Sequence, residues 1–191
     1  MQHSVEQMVH ALRTEGFYIS DNVIPAELID GVKLWKDTLK LQRAGTGNGT
    51  NYQANSVRHD SIRWLEDGNT NPIEQEIWSW LNTLRTTLNG HLFINASHAE
   101  AHIALYPPSN GYARHKDTFV NNNKRVMSIV AYFNDDWQES DGGVLRLYAN
   151  DTIVDVLPQA GRVVVFDPNI EHEVLPTTRE RLSVACWLRH S

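Results

Sequence analysis

Apolar side chains recur at every third or fourth position in three stretches of the first half of the chain, and this spacing predicts three amphipathic helices. The apolar positions are Val5, Met8, Val9 and Leu12 in the first helix, Leu28, Val32, Trp35 and Leu39 in the second, and Ile73, Ile77, Trp80, Leu81, Leu84 and Leu88 in the third. Each stripe covers one side of its helix, so we expect each helix to pack against another element of the fold.

Capping and helix-breaking residues predict where these helices begin and end. They are Ser4 with Gln7 as a capping box and Gly16 as a stop for the first helix, Pro25 as the start of the second, and Asn71-Pro72 and Asn89-Gly90 as the two ends of the third. Proline suits the first helical position because its missing N–H needs no partner there, and glycine suits the end because it readily adopts a positive φ.

From His98 onward the apolar spacing changes to short runs separated by turn residues, which predicts β-strands. The runs span residues 101–106, 125–133, 144–147, 152–157, 161–166 and 181–188. Many short strands at near-regular spacing indicate a β-sandwich or barrel. We therefore expect one domain over residues 1–191, with helical support over about 1–95 and a β core over about 96–190.

A glycine-rich segment lies between the second and third predicted helices. Residues 43–51 contain three glycines and no large apolar side chain. The segments on either side are too small to fold alone, so we expect a mobile loop within the domain and not a linker between domains.

Composition and charge exclude several classes of protein. With 17 Lys and Arg against 23 Asp and Glu, the net charge is -6, which makes nucleic acid a poor partner. No apolar run approaches the roughly 18 residues that a membrane helix needs, and the first residues do not resemble a secretory signal. The single Cys186 cannot form an internal disulfide, which fits a reducing compartment, so we expect a cytoplasmic protein.

Two histidines and one aspartate form a candidate metal site. His115 and Asp117 are separated by one residue, so on an extended strand both side chains would lie on the same face. His172 follows a turn-forming segment 55 residues after His115. Two histidines and a carboxylate can occupy one face of a metal and leave the other positions open, which is the pattern of non-haem Fe(II) oxygenases.

A second cluster competes with this one, because a histidine two positions from an acid occurs readily by chance. His98, Glu100 and His102 would also share one face of a strand. The His115 set is favoured by the downstream His172, a late arginine, a flanking tyrosine and a Gly-Gly turn, all in a workable order. His102 could alternatively line a pocket together with Ala104 and Tyr106.

The late arginine is Arg181, which opens the last predicted strand nine residues after His172. A 2-oxoglutarate co-substrate has a distal carboxylate that needs a cation, and the planar guanidinium binds a carboxylate through two parallel hydrogen bonds. Arg179, two residues earlier, is an alternative for the same role.

Several motifs together resemble the Fe(II)- and 2-oxoglutarate-dependent prolyl hydroxylases of the hypoxia-sensing EGL-nine type and their bacterial relatives. The similar segments are 58–64, 106–117, 132–137, 141–146 and 172–174 followed by Arg181 and Trp187. The resemblance covers well over half of the chain, and this chain is one residue shorter than the family between Tyr106 and His115.

The resemblance implies a role for each matching residue. His115, Asp117 and His172 would bind Fe(II). Arg181 and Tyr132 would hold the distal carboxylate of 2-oxoglutarate, and Tyr106 would also contact this co-substrate. The residues implied at the substrate entrance are Tyr112, Arg125 and Trp187, with Arg58 and Asp60 docking substrate or bracing the loop at 43–56.

These observations lead to one preferred function and two alternatives. We expect a mainly β protein with supporting helices and a double-stranded β-helix (jelly-roll) core, which hydroxylates a prolyl residue in a protein substrate. Its cofactors would be Fe(II), 2-oxoglutarate and O₂, with ascorbate considered as an addition. The alternatives are the same chemistry on a free amino acid or other small molecule, and a non-catalytic binding module that would not bind Fe(II).

Overall fold

The computed structural model describes residues 2–44, 58–118 and 124–191, with side chains from residue 5 onward. Most of the predicted loop at 43–51, and of the wider loop at 43–56, therefore lies outside the described residues.

Three helices precede most of the strands along the chain. The helices are α1 (Gln2–Thr14), α2 (Ala26–Lys36) and α3 (Pro72–Leu92). The strands are β1 (Phe17–Ser20), β2 (Gln42–Arg43), β3 (Ser61–Trp64), β4 (His98–Tyr106), β5 (Tyr112–His115), β6 (Arg125–Tyr132), β7 (Leu145–Ala149), β8 (Thr152–Val156), β9 (Val163–Phe166), β10 (Glu171–Val174) and β11 (Arg181–Arg189). All six predicted strands are present with small shifts at their ends, whereas β1, β2, β3, β5 and β10 were not among the predicted runs.

The strands form two antiparallel sheets that face each other. The larger sheet has the order β1-β9-β6-β11-β4-β3-β2, and the smaller one has the order β5-β10-β7-β8. All their pairings are antiparallel. This arrangement is the double-stranded β-helix core that the sequence predicts.

The alternation of side chains along β11 separates two hydrophobic cores. Leu182, Val184, Cys186 and Leu188 face the helices and belong to the outer core, whereas Arg181, Ser183, Ala185 and Trp187 face the space between the sheets. The strand is buried on nearly its whole length because both of its faces are covered. The second core fills part of the space between the sheets, which also contains the candidate site.

The predicted helix boundaries are partly correct. Gly16 follows α1 with a φ of +81°, as expected of a stop, but α1 begins at Gln2, so Ser4 lies inside the helix and does not cap it. The third helix does not end at Asn89-Gly90. It continues to Leu92, because the Asn89 side chain bonds both backbone groups of Ala96 and Phe93 takes the left-handed conformation that closes the helix.

The N-terminus of α3 is tied to the larger sheet by polar contacts. The Asn71 side chain accepts hydrogen bonds from the N–H groups of Ile73 and Glu74. The fully buried Glu74 carboxylate accepts from Arg63 of β3 at 2.8 Å and from the Glu66 N–H at 2.6 Å. These bonds fix how the helix lies on the outer face of the sheet. None of the helices in the described ranges is both long and apolar enough to cross a membrane.

Candidate metal centre

His115 and His172 are brought together by strand pairing. They lie opposite each other where β5 pairs with β10, and their ring centroids are 4.3 Å apart. Because both residues sit in a hydrogen-bonded sheet, the distance between the two rings depends on strand register and not on a flexible loop.

The second nitrogen of each ring is held by the backbone. Nδ1 of His115 donates to the Ala113 carbonyl at 2.7 Å, and Nδ1 of His172 donates to the Ile170 carbonyl at 2.9 Å. A carbonyl can only accept, so each Nδ1 carries the proton and each Nε2 presents a lone pair. This arrangement is typical of histidines that bind a metal through Nε2.

Asp117 completes the group, but not by strand alternation. β5 ends at His115, and Asp117 lies in the bend beyond it, where its N–H donates to the Pro168 carbonyl at 3.0 Å. Its carboxylate oxygens are 3.8 Å from Nε2 of His115 and 3.6 Å from Nε2 of His172. The side chains of His115 and Asp117 therefore come together because the chain bends after β5, and not because they alternate along one strand. The orientation of Asp117 depends on contacts with other strands.

Those contacts come from β6. The Ser128 hydroxyl donates to Oδ2 of Asp117 at 2.6 Å, and Nη1 of Arg125 donates to the Asp117 backbone carbonyl at 3.1 Å. Sequence analysis did not single out Ser128. The pattern that could have identified it is a small polar residue on the same strand face as Val130 and Tyr132, in an otherwise apolar part of β6.

Electrostatics favour the protonation states that bind a cation. Burial, together with the neighbouring His172, lowers the pKa of His115 to about 4. Burial alone would raise the pKa of Asp117, but its interaction with His172 and the hydrogen bond from Ser128 hold that pKa below the ordinary value. A neutral imidazole and an ionised carboxylate are the forms that coordinate divalent metals.

The donor set fits a divalent transition metal. One ligand atom from each of His115, Asp117 and His172 lies within 4.8 Å of the others. Among the described residues, these three side chains form the group that could hold a metal ion. Two imidazoles and one carboxylate leave coordination positions free, which matches non-haem Fe(II).

The deep end of the pocket contains a buried cation. Arg181 is 1% exposed, donates from Nε to the Gly143 carbonyl at 2.8 Å and from Nη1 to the Ser183 hydroxyl at 3.2 Å. No carboxylate among the described residues pairs with it. Gly143 makes room for this side chain, because a Cβ there would lie 3.1 Å from Cδ of Arg181. A buried guanidinium without a protein anion is a site for an anionic ligand.

Two tyrosines flank this cation. The Arg181 guanidinium lies 5.1 Å from the ring centroids of both Tyr106 and Tyr132. The buried Tyr132 hydroxyl lies near Arg181 but meets hydrogen-bond geometry with no described residue. An unpaired buried hydroxyl is costly, so a carboxylate bound by Arg181 would also satisfy Tyr132.

The residues predicted at the substrate entrance lie at the metal end of the same pocket. The Tyr112 ring stacks on His115 at 3.7 Å, and the Arg125 guanidinium lies 3.9 Å from the Trp187 ring. Arg58 pairs with the fully buried Asp60 through two hydrogen bonds of 2.6 and 2.8 Å. Tyr112, Trp187 and Arg58 line the pocket directly, whereas Arg125 and Asp60 support it from behind.

The alternative residues are placed elsewhere. Glu100 accepts hydrogen bonds from Arg125 and Arg189, His98 is exposed, and His102 contacts Arg58, so the three do not converge on one point. Arg179 is half-exposed, pairs with Asp141 and does not line the pocket. Arg181 is therefore the arginine in position to bind a co-substrate.

Comparison with known proteins shows which proteins the chain is similar to. A model described as the 2OG-Fe(II) oxygenase superfamily matches residues 101–189. A hypoxia-inducible factor prolyl hydroxylase from Caenorhabditis elegans is 28% identical over an alignment of 148 residues, and the match covers 71% of this chain and 20% of that protein. The chain thus spans about a fifth of the length of that relative.

Two solved structures are similar over nearly the whole chain. A prolyl-4-hydroxylase from Pseudomonas putida has 34% sequence identity and a TM-score of 0.86, and the match covers 98% of this chain and 99% of the other. A prolyl hydroxylase from Trichoplax adhaerens, solved with a peptide fragment of the hypoxia-inducible factor oxygen degradation domain, has 25% identity and a TM-score of 0.85. That match covers 98% of this chain and 90% of the other.

Proposed function

The chain belongs to the 2OG-Fe(II) oxygenase superfamily, among the prolyl hydroxylases of the EGL-nine type and their bacterial relatives, and we propose that it hydroxylates a prolyl residue in a protein or peptide. In the overall reaction a C–H bond of the proline ring becomes C–OH. 2-Oxoglutarate is oxidised to succinate and CO₂; one atom of O₂ enters the succinate, and the other becomes the hydroxyl oxygen of the hydroxylated proline.

One observation supports this proposal most strongly. A triad of two histidines and one carboxylate lies in the same pocket between the two sheets as a buried arginine without a protein anion among the described residues. A metal site alone would fit many functions. A metal site that shares its cavity with a cationic carboxylate receptor fits a keto-acid-dependent oxygenase.

His115, Asp117 and His172 would hold Fe(II). When bound, this metal would allow O₂ and 2-oxoglutarate to oxidise the C–H bond. The backbone bonds to the two Nδ1 atoms keep both Nε2 lone pairs directed at the ion. Ser128 holds the Asp117 carboxylate in place, so the three ligands are oriented before the metal binds.

Arg181, Tyr132 and Tyr106 would bind 2-oxoglutarate. The guanidinium is already oriented by Gly143 and Ser183 and is free of competing acids among the described residues. The Tyr132 hydroxyl would gain its missing partner from the same carboxylate. The apolar lining contributed by Leu145 and Val174 excludes water around this end of the pocket.

Tyr112, Trp187, Arg125, Arg58 and Asp60 would receive the substrate. Tyr112 and Trp187 line the pocket beside the metal ligands, where their aromatic side chains would contact a proline ring. The peptide bound to the similar Trichoplax adhaerens enzyme supports a polypeptide substrate over a free amino acid.

The proposal also includes expectations about domain organisation, cellular location and a reductant. We propose that residues 1–191 act as one dioxygenase domain, with the helices covering the outer face of the larger sheet. The single buried cysteine supports a cytoplasmic location. Ascorbate would serve as a reductant that keeps iron in the ferrous state.

The test is a substrate comparison with the anaerobically purified protein reconstituted with Fe(II). Proline-containing peptides and free amino acids are each supplied with 2-oxoglutarate and O₂, and succinate and the product mass are measured. We expect succinate release to rise with a peptide that gains one oxygen atom. Conversion of a free amino acid alone would favour the small-molecule alternative.

Two variants complete this experiment. His172→Ala removes a proposed ligand and should abolish turnover, whereas His98→Ala changes an exposed histidine and should leave it unchanged. A parent protein that binds no Fe(II) would favour the non-catalytic module instead.

A further inference from the structure

His102 is a buried histidine that the proposed chemistry does not yet use. It lies on β4, is 2% exposed and lines the pocket. Its ring packs against two indoles, with ring centroids 5.1 Å from Trp64 and 5.2 Å from Trp187. An apolar side chain of similar volume would satisfy this packing equally well, so the imidazole must be explained by its polar atoms.

The polar contact of His102 determines which ring nitrogen carries the proton. Nε2 lies 3.0 Å from Nη2 of Arg58. A guanidinium can only donate, so Nε2 is the acceptor and a neutral ring has its proton on Nδ1. Burial and the nearby charges of Arg58 and Arg125 hold the pKa of His102 well below its ordinary value, which keeps the ring neutral.

This tautomer leaves a buried donor without a partner. Nδ1 of His102 forms no hydrogen bond with any described residue. An unsatisfied buried N–H is destabilising, and an apolar residue would avoid this cost. The hydrogen bond to Arg58 is therefore the feature of His102 that an apolar side chain could not supply.

That hydrogen bond completes the fixation of Arg58. Nε and Nη2 of Arg58 both bond Asp60, and the remaining Nη2 proton goes to His102. Only the two Nη1 protons remain for Tyr112 and for a ligand in the pocket. The guanidinium lies 5.0 Å from the Tyr112 ring centroid, and that ring stacks on His115.

We propose that His102 is a positioning residue for the prolyl substrate: its Nε2 lone pair holds the Arg58 guanidinium at the pocket wall, so that the Nη1 protons meet a carbonyl oxygen of the polypeptide beside the metal centre. The inference rests on the proposed function for the identity of the substrate. The hydrogen bond between His102 and Arg58 does not depend on it.

The kinetic test compares three variants with the parent protein, using a proline-containing peptide that the parent hydroxylates. His102→Leu keeps the packing but has no acceptor, and the KM for the peptide should rise about tenfold. His102→Gln offers an acceptor oxygen at a similar distance from the backbone and should restore the KM to within about threefold of the parent. His98→Leu, on an exposed position of the same strand, should leave it unchanged.

A role in packing alone would affect these parameters differently. The KM for 2-oxoglutarate should stay within about twofold of the parent in all three variants, because Arg181 and its partners are not touched. An unchanged peptide KM in His102→Leu, or failure of His102→Gln to restore it, would overturn the proposal.

Nitrogen NMR of the protein loaded with Zn(II) in place of Fe(II) tests the hydrogen bond itself. We expect the His102 ring to show the Nδ1–H tautomer between pH 6 and 8, and to lose it or exchange between tautomers in Arg58→Leu. An Nε2–H tautomer in the parent overturns the inference, even if a prolyl peptide is hydroxylated. A parent that hydroxylates no prolyl peptide instead overturns the proposed function, before any variant is compared.

Discussion

Hydrogen bonds from residues outside the triad orient each donor of the candidate metal centre. The backbone carbonyls of Ala113 and Ile170 hold the two imidazole rings, and the Ser128 hydroxyl holds the Asp117 carboxylate. Such supporting contacts change metal affinity without touching the metal, because they determine how much a ligand must reorganise on binding.

Replacing Ser128 tests this at the residue scale. Ser128→Ala removes the 2.6 Å hydrogen bond to Asp117, and we expect the affinity for Fe(II) to fall about 10- to 100-fold with little change in fold. Competition with a fluorescent chelator measures the affinity. The matched control is Ser97→Ala at an exposed position, and an equal loss in both variants would contradict the argument.

Replacing Arg181 tests the other end of the pocket. Arg181→Met keeps most of the volume but removes the charge, and we expect the KM for 2-oxoglutarate to rise at least about tenfold because a charge-assisted hydrogen bond is lost. Arg179→Met, at a half-exposed position outside the pocket, should leave this KM unchanged. A raised KM in Arg179→Met together with an unchanged KM in Arg181→Met would instead indicate that Arg179 binds the co-substrate.

At the scale of elements, the site depends on strands that are held from outside. β3 carries Arg63, which bonds the buried Glu74 of α3, and β3 pairs with β4, which carries His102 and Tyr106. α3 therefore supports the pocket wall through one edge of the larger sheet, although it contributes no side chain to the pocket.

The helix cap should therefore contribute to stability but not to chemistry. Asn71→Ala removes the acceptor for two N–H groups, and we expect it to lower the free energy of unfolding by about 0.5–2 kcal/mol. Urea denaturation measures this change. Glu76→Ala, at an exposed position of the same helix, should change the free energy of unfolding by less than about 0.5 kcal/mol. Equal effects would mean that the cap does not anchor the helix.

At the scale of the whole molecule, the pocket is the unfilled part of the space between the two sheets. Its lining comes from both sheets, with Arg181 and Tyr106 on the larger one and His115 and His172 on the smaller one. A ligand that reaches from the triad to Arg181 would therefore connect the two sheets and should stabilise the folded state.

This stabilisation can be measured by thermal unfolding. With Fe(II) and 2-oxoglutarate each at about 100 times its dissociation constant under anaerobic conditions, the loaded protein should gain at least about 2.7 kcal/mol over chelator-treated protein, or roughly 5–10 °C. His172→Ala should lose most of this shift. An equal shift in that variant would show that the ligands act elsewhere.

The sequence by itself determined the six predicted strands and a β-sandwich or barrel core, because local periodicity is recorded in nearby positions. Its motifs, which resemble those of a known family, also identified His115, Asp117, His172 and Arg181 as candidate site residues. It did not determine how Asp117 is oriented, since the strand that was to place it ends at His115. Only the tertiary structure placed Ser128 beside Asp117, left the Tyr132 hydroxyl unpaired and brought His102 to Arg58, which lies 44 residues away in the chain. These contacts depend on the register between distant strands and on burial from both sides, and no pattern of neighbouring residues encodes either of them.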